Sequence, residues 1–192
     1  MRYQNILRNK SFPVLIFSLS FLSLSGVEAS ATTNFLTYQN PIQGIKMQYP
    51  SDWRVSQNGL RDFSDIVGFY APYGNLSDVF PARLIVSVKH YSENMTLDGY
   101  SNFVNDSLKQ PNVQVIKSNP SILAGKPAHE AVIVASPGIA PFKIATILVW
   151  TIKENNVYTI SFNSEQGKFL TYVPTVQKMI NTFELTNSTG IK

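Results

Sequence analysis

One segment constrains the fold more than any other, because it alternates like a β-strand and yet is apolar on both faces. It runs from 142 to 153, with Phe142, Ile144, Leu148, Trp150 and Ile152 on one face and Ala145, Ile147 and Val149 on the other. An antiparallel strand without a polar face lies inside a sheet that is covered on both sides. The fold therefore needs a second layer on each side of its sheet.

The residues after this segment predict a hairpin and a mainly antiparallel sheet. Glu154-Asn155-Asn156 leads to a second alternating run at 157–163, and asparagine tolerates the positive φ of tight turns. Similar runs predict strands at 35–41, 44–50, 66–72, 82–91, 113–118 and 126–136. We expect the first two of these to form an N-terminal β-hairpin.

Two stretches change to helical spacing. After Thr96, a suitable N-cap, apolar residues recur at helical intervals up to Leu108, and Pro111 ends the helix. A second helix covers 168–183, where Pro174 is expected to break or restart it. The prediction is an α+β fold: an antiparallel β-sheet of about six strands with helices packed on both faces, plus the N-terminal β-hairpin.

The first 29 residues have the layout of a secretory signal peptide. Three basic residues precede an apolar stretch at 12–24, and small residues suit cleavage before Ser30. A retained membrane anchor is the alternative, although a bilayer span needs about 20 apolar residues. The remaining chain is predicted to divide into a short linker at 30–34, a domain at 35–185 and a disordered tail at 186–192.

Composition excludes several kinds of protein. Apolar residues make up 44% of the chain and charged residues 15%, which fits one packed domain. The leader carries three of the 16 basic residues and one of the 12 acidic ones, so the mature net charge is only +2. No basic cluster favours nucleic-acid binding. The sequence has no cysteine for a disulfide or a lipid anchor, and its mature part contains no transmembrane segment.

The sequence contains no phosphate-binding glycine loop and no nucleophile elbow. His129-Glu130 begins like a zinc-protease motif, but Ile133 stands where the second histidine belongs. His90 lacks support as a ligand as well. We therefore expect a protein that is not an enzyme and has no catalytic or metal-binding residue, and we keep a hydrolase with a dispersed Ser/His/Asp set as an alternative.

Three aspartates raise the question of a bound ion. Asp62, Asp65 and Asp78 flank the strand at 66–72, and oxygen ligands suit calcium. Their spacing matches no calcium-binding loop. A solvated loop is the favoured interpretation, with an ion site as the alternative.

Aromatic residues suggest a contact surface. Tyr73 and Phe80 lie in a loop at 71–81, and loop aromatics on a rigid scaffold often bind partners. Packing of the loop onto its own sheet is the alternative. The two tryptophans have structural roles in this prediction, Trp150 in the core and Trp53 at its edge.

Four sequons begin at Asn75, Asn94, Asn105 and Asn187. They are candidates for N-glycosylation if the host glycosylates exported proteins. A chain rich in Asn, Ser and Thr contains some sequons by chance. They therefore predict surface exposure better than they predict sugar.

Six short segments together resemble the PsbP-like domains, which are related to the extrinsic oxygen-evolving-complex protein of photosystem II. They are "GIKMQYPSDW" (44–53), "VGFYAP" (67–72), "TLDGY" (96–100), "LAGKPAHEAV" (123–132), "NNVYTISFNS" (155–164) and "YVPTVQKMINTFEL" (172–185). The resemblance implies a PsbP-like α/β/α sandwich without catalytic activity. Photosynthetic members dock on a membrane complex and help to retain calcium and chloride, so bound calcium is implied by the resemblance alone, and no ion ligand is transferred to this chain.

These observations lead to two expectations about function. The first is an exported, non-catalytic protein-binding or assembly-stabilising module, secreted or peripheral to the outer face of the cell membrane, with an unknown protein partner that could be a membrane complex. The alternative is an extracytoplasmic carrier or sensor of a small apolar ligand or ion, held in a cleft between sheet and helix. Neither expectation involves a nucleic acid or a cofactor other than that calcium.

Overall fold

The computed structural model describes residues 34–57, 62–74, 80–138 and 141–187, and within them the chain forms ten strands and two α-helices. The strands are β1 (Phe35–Asn40), β2 (Ile45–Pro50), β3 (Arg54–Ser56), β4 (Asp65–Tyr70), β5 (Arg83–His90), β6 (Val113–Leu123), β7 (Lys126–Ala135), β8 (Ile144–Lys153), β9 (Asn156–Glu165) and β10 (Glu184–Leu185). The helices are α1 (Leu97–Ser107) and α2 (Phe169–Asn181), with a 3₁₀ turn at Gln166–Lys168. The predicted signal peptide lies outside the described residues.

Seven strands form a main antiparallel sheet in the order β3-β4-β5-β9-β8-β7-β6. A small sheet has the order β1-β2-β10, so the predicted N-terminal hairpin is confirmed and gains a strand from the other end of the domain. The expected number of about six strands in the main sheet is therefore too low. The sequence does not reveal β3 and β10, because three and two residues are too few to show alternation.

The main sheet is covered differently on its two faces. Helix α2 and the small sheet lie on one face, where Met47 and Val176 join the larger hydrophobic core. Helix α1 lies on the other face, where Tyr100 contacts the ring of Trp150 with centroids 6.3 Å apart. The predicted sandwich, a sheet with helices on both faces, is corrected in one respect. One outer layer consists of α2 together with the small sheet, so the fold contains more β-structure than predicted.

Strand β8 is the doubly buried strand that the sequence predicts. Ala145, Ile147 and Val149 belong to the larger core, whereas Trp150 belongs to the cluster beneath α1. Strands β9 and β7 flank β8 on either side. The turn to β9 has Glu154 at φ 52° in addition to Asn155 at φ 61°, which confirms the predicted hairpin.

Helix α2 continues through Pro174, so the expected break is wrong. The proline removes one backbone donor, and the carbonyl that loses its partner belongs to Leu170. Leu170 is 41% exposed, which leaves this part of the helix open to solvent. The buried side of α2 carries Val173 and Val176, so packing against the sheet holds the helix together despite the proline.

The segment "GIKMQYPSDW" is a structural element. Ile45 and Met47 are each 1% exposed on β2, and Pro50 ends that strand. Trp53 is 6% exposed and packs edge-on against Tyr172 of α2 at 6.2 Å. Trp53 therefore lies in the larger core, as part of the layer that joins the small sheet to α2.

At the C-terminal side of the domain, the backbone N–H of Thr186 donates to the carbonyl of Gly44 at 2.8 Å. The ammonium group of Lys153 donates to the carbonyl of Thr186 at 3.2 Å. Thr186, the first residue of the predicted tail, is thus hydrogen-bonded to the domain. Residues 188–192 lie outside the described part. Among the described helices, none is long and apolar enough to cross a membrane.

Candidate functional site

The two aromatic residues predicted to contact a partner differ in their surroundings. Tyr73 is 66% exposed just after β4. Phe80 is half-buried, with its ring 6.1 Å from that of Phe142 and Arg83 stacked on it at 4.8 Å. The ring of Phe80 thus packs against residues of its own domain, whereas Tyr73 projects outward. Residues 75–79 between them lie outside the described residues. A partner contact through either residue stays a prediction.

An open groove of about 640 Å³ lies where the tip of the β6–β7 hairpin meets the end of α2 and strand β10. It is lined by Ile122, Ala124, Gly125, Ile180, Asn181, Phe183, Glu184 and Leu185. Ile180 and Phe183 form a buried floor, at 6% and 2% exposure, whereas Ile122 is 73% exposed. The groove therefore combines a packed base with one large apolar side chain that is available for contact.

The backbone around Ile122 is also oriented for contact. Ala124 and Gly125 have φ of 51° and 71°, so Leu123 and Lys126 flank a two-residue turn and exchange hydrogen bonds. The next pair, Ile122 and Pro127, is then a pair without mutual hydrogen bonds. The N–H and C=O of Ile122 consequently point away from β7. Because β6 is the edge of the main sheet, these groups face outward.

Polar groups border the groove. Lys46 and Glu184 form an ion pair at 3.2 Å across the β2–β10 pairing, and both side chains are solvent-accessible. Asn181 contributes an exposed amide whose Oδ1 accepts a hydrogen bond from Gln177 Nε2 at 2.9 Å. A ligand that fills the groove would therefore meet an apolar base and a polar rim, as in protein–protein contacts.

A serine and a histidine come together elsewhere, beneath α1. His129 Nε2 lies 2.8 Å from Ser118 Oγ, and Ser118 Oγ donates to Asn105 Oδ1 at 3.1 Å. A hydroxyl has one proton, so with this donation the histidine is the donor to Ser118 and does not act as its base. The ring of His129 stacks on Trp150 at 5.0 Å. The contacts attach α1 to the sheet and do not form a nucleophile–base pair.

Electrostatics around His129 favour the neutral ring. Burial lowers the pKa of His129 below its ordinary value, against an opposing attraction from Asp98. His90, the other histidine, contacts Asn156 Oδ1 at 3.1 Å on β5. Strands β9 and β8 separate β5 from β7, so the two histidines lie on different parts of the sheet.

Two of the three aspartates contact each other, because the backbone N–H of Asp62 donates to Asp65 Oδ2 at 3.3 Å. Asp65 also accepts a hydrogen bond from Ser87 Oγ at 2.6 Å, and the backbone N–H of Ser64, which donates to Asp62 Oδ1 at 3.0 Å, lowers the pKa of Asp62. Asp78 lies outside the described residues. Within the described part, no three His, Asp or Glu side chains are grouped as metal ligands would be.

The four sequon asparagines have different environments. Asn94 and Asn187 are exposed, whereas Asn105 is half-buried in α1 and accepts a hydrogen bond from Ser118. Asn75 lies outside the described residues. Glycosylation at any of them stays a prediction, and the structure favours Asn94 and Asn187 as accessible acceptors.

A family model described as PsbP-like protein matches residues 21–185. The chain belongs to the PsbP-like family. The match includes every described strand and both helices, so the similarity to the family extends over the whole described fold. No curated protein matches the sequence.

Solved structures show the same fold at low sequence identity. LpqN of Mycobacterium tuberculosis, described as involved in cell envelope biogenesis, has a TM-score of 0.58 at 16% identity, over 74% of this chain and 83% of that one. The cyanobacterial PsbP (CyanoP) of Synechocystis sp. PCC 6803 has 0.54 at 14%, over 84% and 98%. The Ran-binding protein Mog1p of Saccharomyces cerevisiae has 0.54 at 10%, over 82% and 98%. At these identities the three structures establish a shared fold alone.

Sequence reasoning misses Ile122 as a member of the site. The predicted strand ends at 118, because Asn119, Pro120 and Ser121 interrupt the alternation that follows. Proline is tolerated on an edge strand whose N–H side faces outward, and Pro120 occupies such a position. Gly125, which tolerates the positive φ of a two-residue turn, is the signal that would have extended the strand.

Proposed function

We propose that this PsbP-like protein is a non-catalytic, protein-binding module that works outside the cytoplasm, at the outer face of the membrane. The observation that carries the proposal is the groove beside the edge of β6, where exposed Ile122 combines an apolar side chain with outward backbone groups. Such an edge accepts an extended segment of a partner protein, through backbone hydrogen bonds and one apolar contact. The occupant that fits is therefore a strand-forming segment of a partner.

Other observations support the location and the absence of catalysis. The leader at 1–29 has the pattern of an export signal. Proteins of this fold include one involved in cell envelope biogenesis and one that binds Ran, which is consistent with a binding role. Ser118 donates its hydroxyl proton to Asn105, so the contact between Ser118 and His129 supports a structural role.

The test is site-specific crosslinking in extracts of the native host. A photo-reactive phenylalanine analogue replaces Ile122, and the matched control replaces Phe103, which is 63% exposed on α1. We expect the probe at 122 to yield one reproducible adduct identified by mass spectrometry, and Ile122→Asp to weaken that partner's binding about tenfold or more, because a buried apolar contact is lost. Equal adducts at both positions, or unchanged binding by a folded Ile122→Asp variant, would contradict the proposal.

A second function has one observation in its favour. The groove lies between sheet and helix and has an apolar base, as a carrier of a small apolar ligand requires. Such carriers bury most of their ligand, whereas this groove is open. Tight, saturable binding of an apolar fluorescent probe that Leu185→Asp abolishes would favour the carrier over the protein-binding module. Calcium binding stays a prediction from the family resemblance.

A further inference from the structure

The small sheet has a free edge along β1. Its order β1-β2-β10 places β1 on the outside, and none of the described strands pairs with the other side of β1. Two hydrogen bonds of β2 fix the direction of its backbone groups. The carbonyl of Gly44 accepts from Thr186, just after β10. The N–H of Gln48 donates to Thr182 Oγ1, just before β10. Even-numbered residues of β2 thus point their backbone groups toward β10, and odd-numbered residues point theirs toward β1.

The register of β1 with β2 then shows which backbone groups of β1 face the free edge. Odd-numbered residues of β2 lie opposite even-numbered residues of β1, as Met47 lies opposite Tyr38. The even-numbered residues of β1 therefore bond to β2. The N–H and C=O groups of the odd-numbered residues point away from β2, and these residues are Phe35, Thr37 and Gln39. Thr37 and Gln39 are exposed, so this side of the strand is accessible.

The other described sheet edges have features that disfavour the addition of a strand, and β1 has none of them. β6 contains Lys117, Pro120 and a bulge after Val115, whereas β3 has three residues and β10 has two. Lysine, proline, bulges and short length all protect sheet edges. β1 has six residues without a charge or a proline, and its register with β2 is continuous. A continuous, uncharged edge strand is a template for pairing with another chain.

An exposed apolar side chain lies on the same strand. Leu36 and Tyr38 project from one face of β1, because side chains alternate along a strand. The ring of Tyr38 meets that of Phe69 edge-on at 5.6 Å, so this face is turned toward the main sheet. Leu36 is nevertheless 48% exposed. A strand added to β1 would cover Leu36 as well as satisfy the backbone groups of the edge.

We propose that two copies of this protein pair through β1, as antiparallel strands with a two-fold axis at Thr37. In this register Thr37 lies opposite its own copy, and Phe35 lies opposite Gln39 of the second copy. The three outward residues of each strand then exchange about six backbone hydrogen bonds. The two small sheets, of three strands each, become one continuous sheet.

The register suits a second copy because β1 is complementary to itself. A two-fold contact brings the same surface of both chains together, so a charged residue near the axis would meet its own charge. β1 has no charged residue, and threonine pairs are favourable across antiparallel strands. Leu36 lies opposite Tyr38 of the second copy, in a pair whose Cα atoms are about 4.5 Å apart. The exposed leucine is thus covered by an aromatic ring.

The proposed contact is small. Stable complexes bury about 1,200–2,000 Å² in total, and pairing of one short strand falls below that range. The expected dissociation constant is therefore about 10–100 μM. The inference goes beyond the proposed function, because β1 does not line the groove beside Ile122. Either contact can fail without the other.

The first test measures the dissociation constant of the purified protein by sedimentation velocity, over concentrations that bracket this value. Thr37→Lys places two like charges at the axis and should weaken the dimer at least tenfold. Gln48→Lys is the matched control, since Gln48 is exposed directly beside Thr37 on β2. It should leave the dissociation constant within about twofold. Mixing the Thr37→Lys and Thr37→Glu variants should restore a dimer, because opposite charges then meet at the axis.

A second test reports on the register. The chain has no cysteine, so an introduced cysteine is the only thiol. Thr37→Cys would place the two Cα atoms about 5.5 Å apart in the dimer, within the range of a disulfide. Gln39→Cys is the control on the same strand. Its two copies would be separated by four residues, about 13 Å along the strands, and should not crosslink.

Several outcomes would overturn the proposal. They are a protein that stays monomeric well above the expected dissociation constant, equal weakening by Gln48→Lys, no dimer in the mixture of Thr37→Lys and Thr37→Glu, and equal crosslinking of the two cysteine variants. Weakening by Ile122→Asp in place of Thr37→Lys would mean that the copies meet through the groove, which also contradicts pairing through β1.

Discussion

The hydrogen bond between Trp150 and Ser101 allows a direct test of how α1 is attached to the main sheet. Trp150 Nε1 donates to Ser101 Oγ at 3.0 Å. Both residues are buried, at 1% and 6% exposure, so neither group has water as an easy substitute. The indole also stacks with His129 at 5.0 Å and meets Tyr100 edge-on at 6.3 Å.

These contacts set the size of the expected effects. Ser101→Ala leaves a buried indole N–H without an acceptor, which should lower the free energy of unfolding by about 1–3 kcal/mol. Trp150→Phe leaves the serine hydroxyl without its donor and also removes packed ring atoms, so its loss should be larger, about 2–4 kcal/mol. In the double variant neither partner is left unpaired. The two effects should therefore fall short of additivity by about 1 kcal/mol.

The assay is urea unfolding monitored by fluorescence. The chain has two tryptophans, so Trp53 still reports on unfolding when Trp150 is replaced. Ser107→Ala is the control, since Ser107 is exposed at the end of the same helix and its Oγ donates within the helix, to the carbonyl of Val104 at 2.7 Å, and not to the sheet. Additivity within about 0.3 kcal/mol, or an equal effect of Ser107→Ala, would refute the reasoning that this bond fixes α1.

Two further predictions concern stability. Trp53→Ala should lower the free energy of unfolding by about 3–5 kcal/mol, because Trp53 is 6% exposed in the larger core. Denaturant titration checks this, and lost partner binding with unchanged stability would instead make Trp53 a binding residue. His129 has a lowered pKa in the folded state, so its contribution is present above pH 6.5 and is lost as the pH falls through the folded pKa. Melting temperatures between pH 7.5 and 5 should fall less in His129→Gln, and identical pH profiles would contradict the prediction.

The fold could be predicted where burial leaves a pattern in the sequence. β8 has two apolar faces, and the register shows them facing two separate cores. Short and irregular strands gave no comparable pattern: β3 has three residues, β10 has two, and the second half of β6 contains Pro120. Pro174 misled the prediction of α2 because tertiary packing outweighs the loss of one backbone hydrogen bond.

The candidate sites were less predictable, because they depend on which residues of distant strands lie opposite one another. Arg54 and Asn163 are more than a hundred positions apart, yet three strand pairings place them in one row. A slip of one residue in the register of β5 would send Arg83 toward the larger core and Leu84 toward solvent. Burial of the alternate residues, Phe69 and Leu84, therefore fixes the outward position of the arginines. The alignment of these polar residues is thus a consequence of core packing. The sequence reveals which residues are buried, but it does not reveal which polar residues the strand pairings place next to one another.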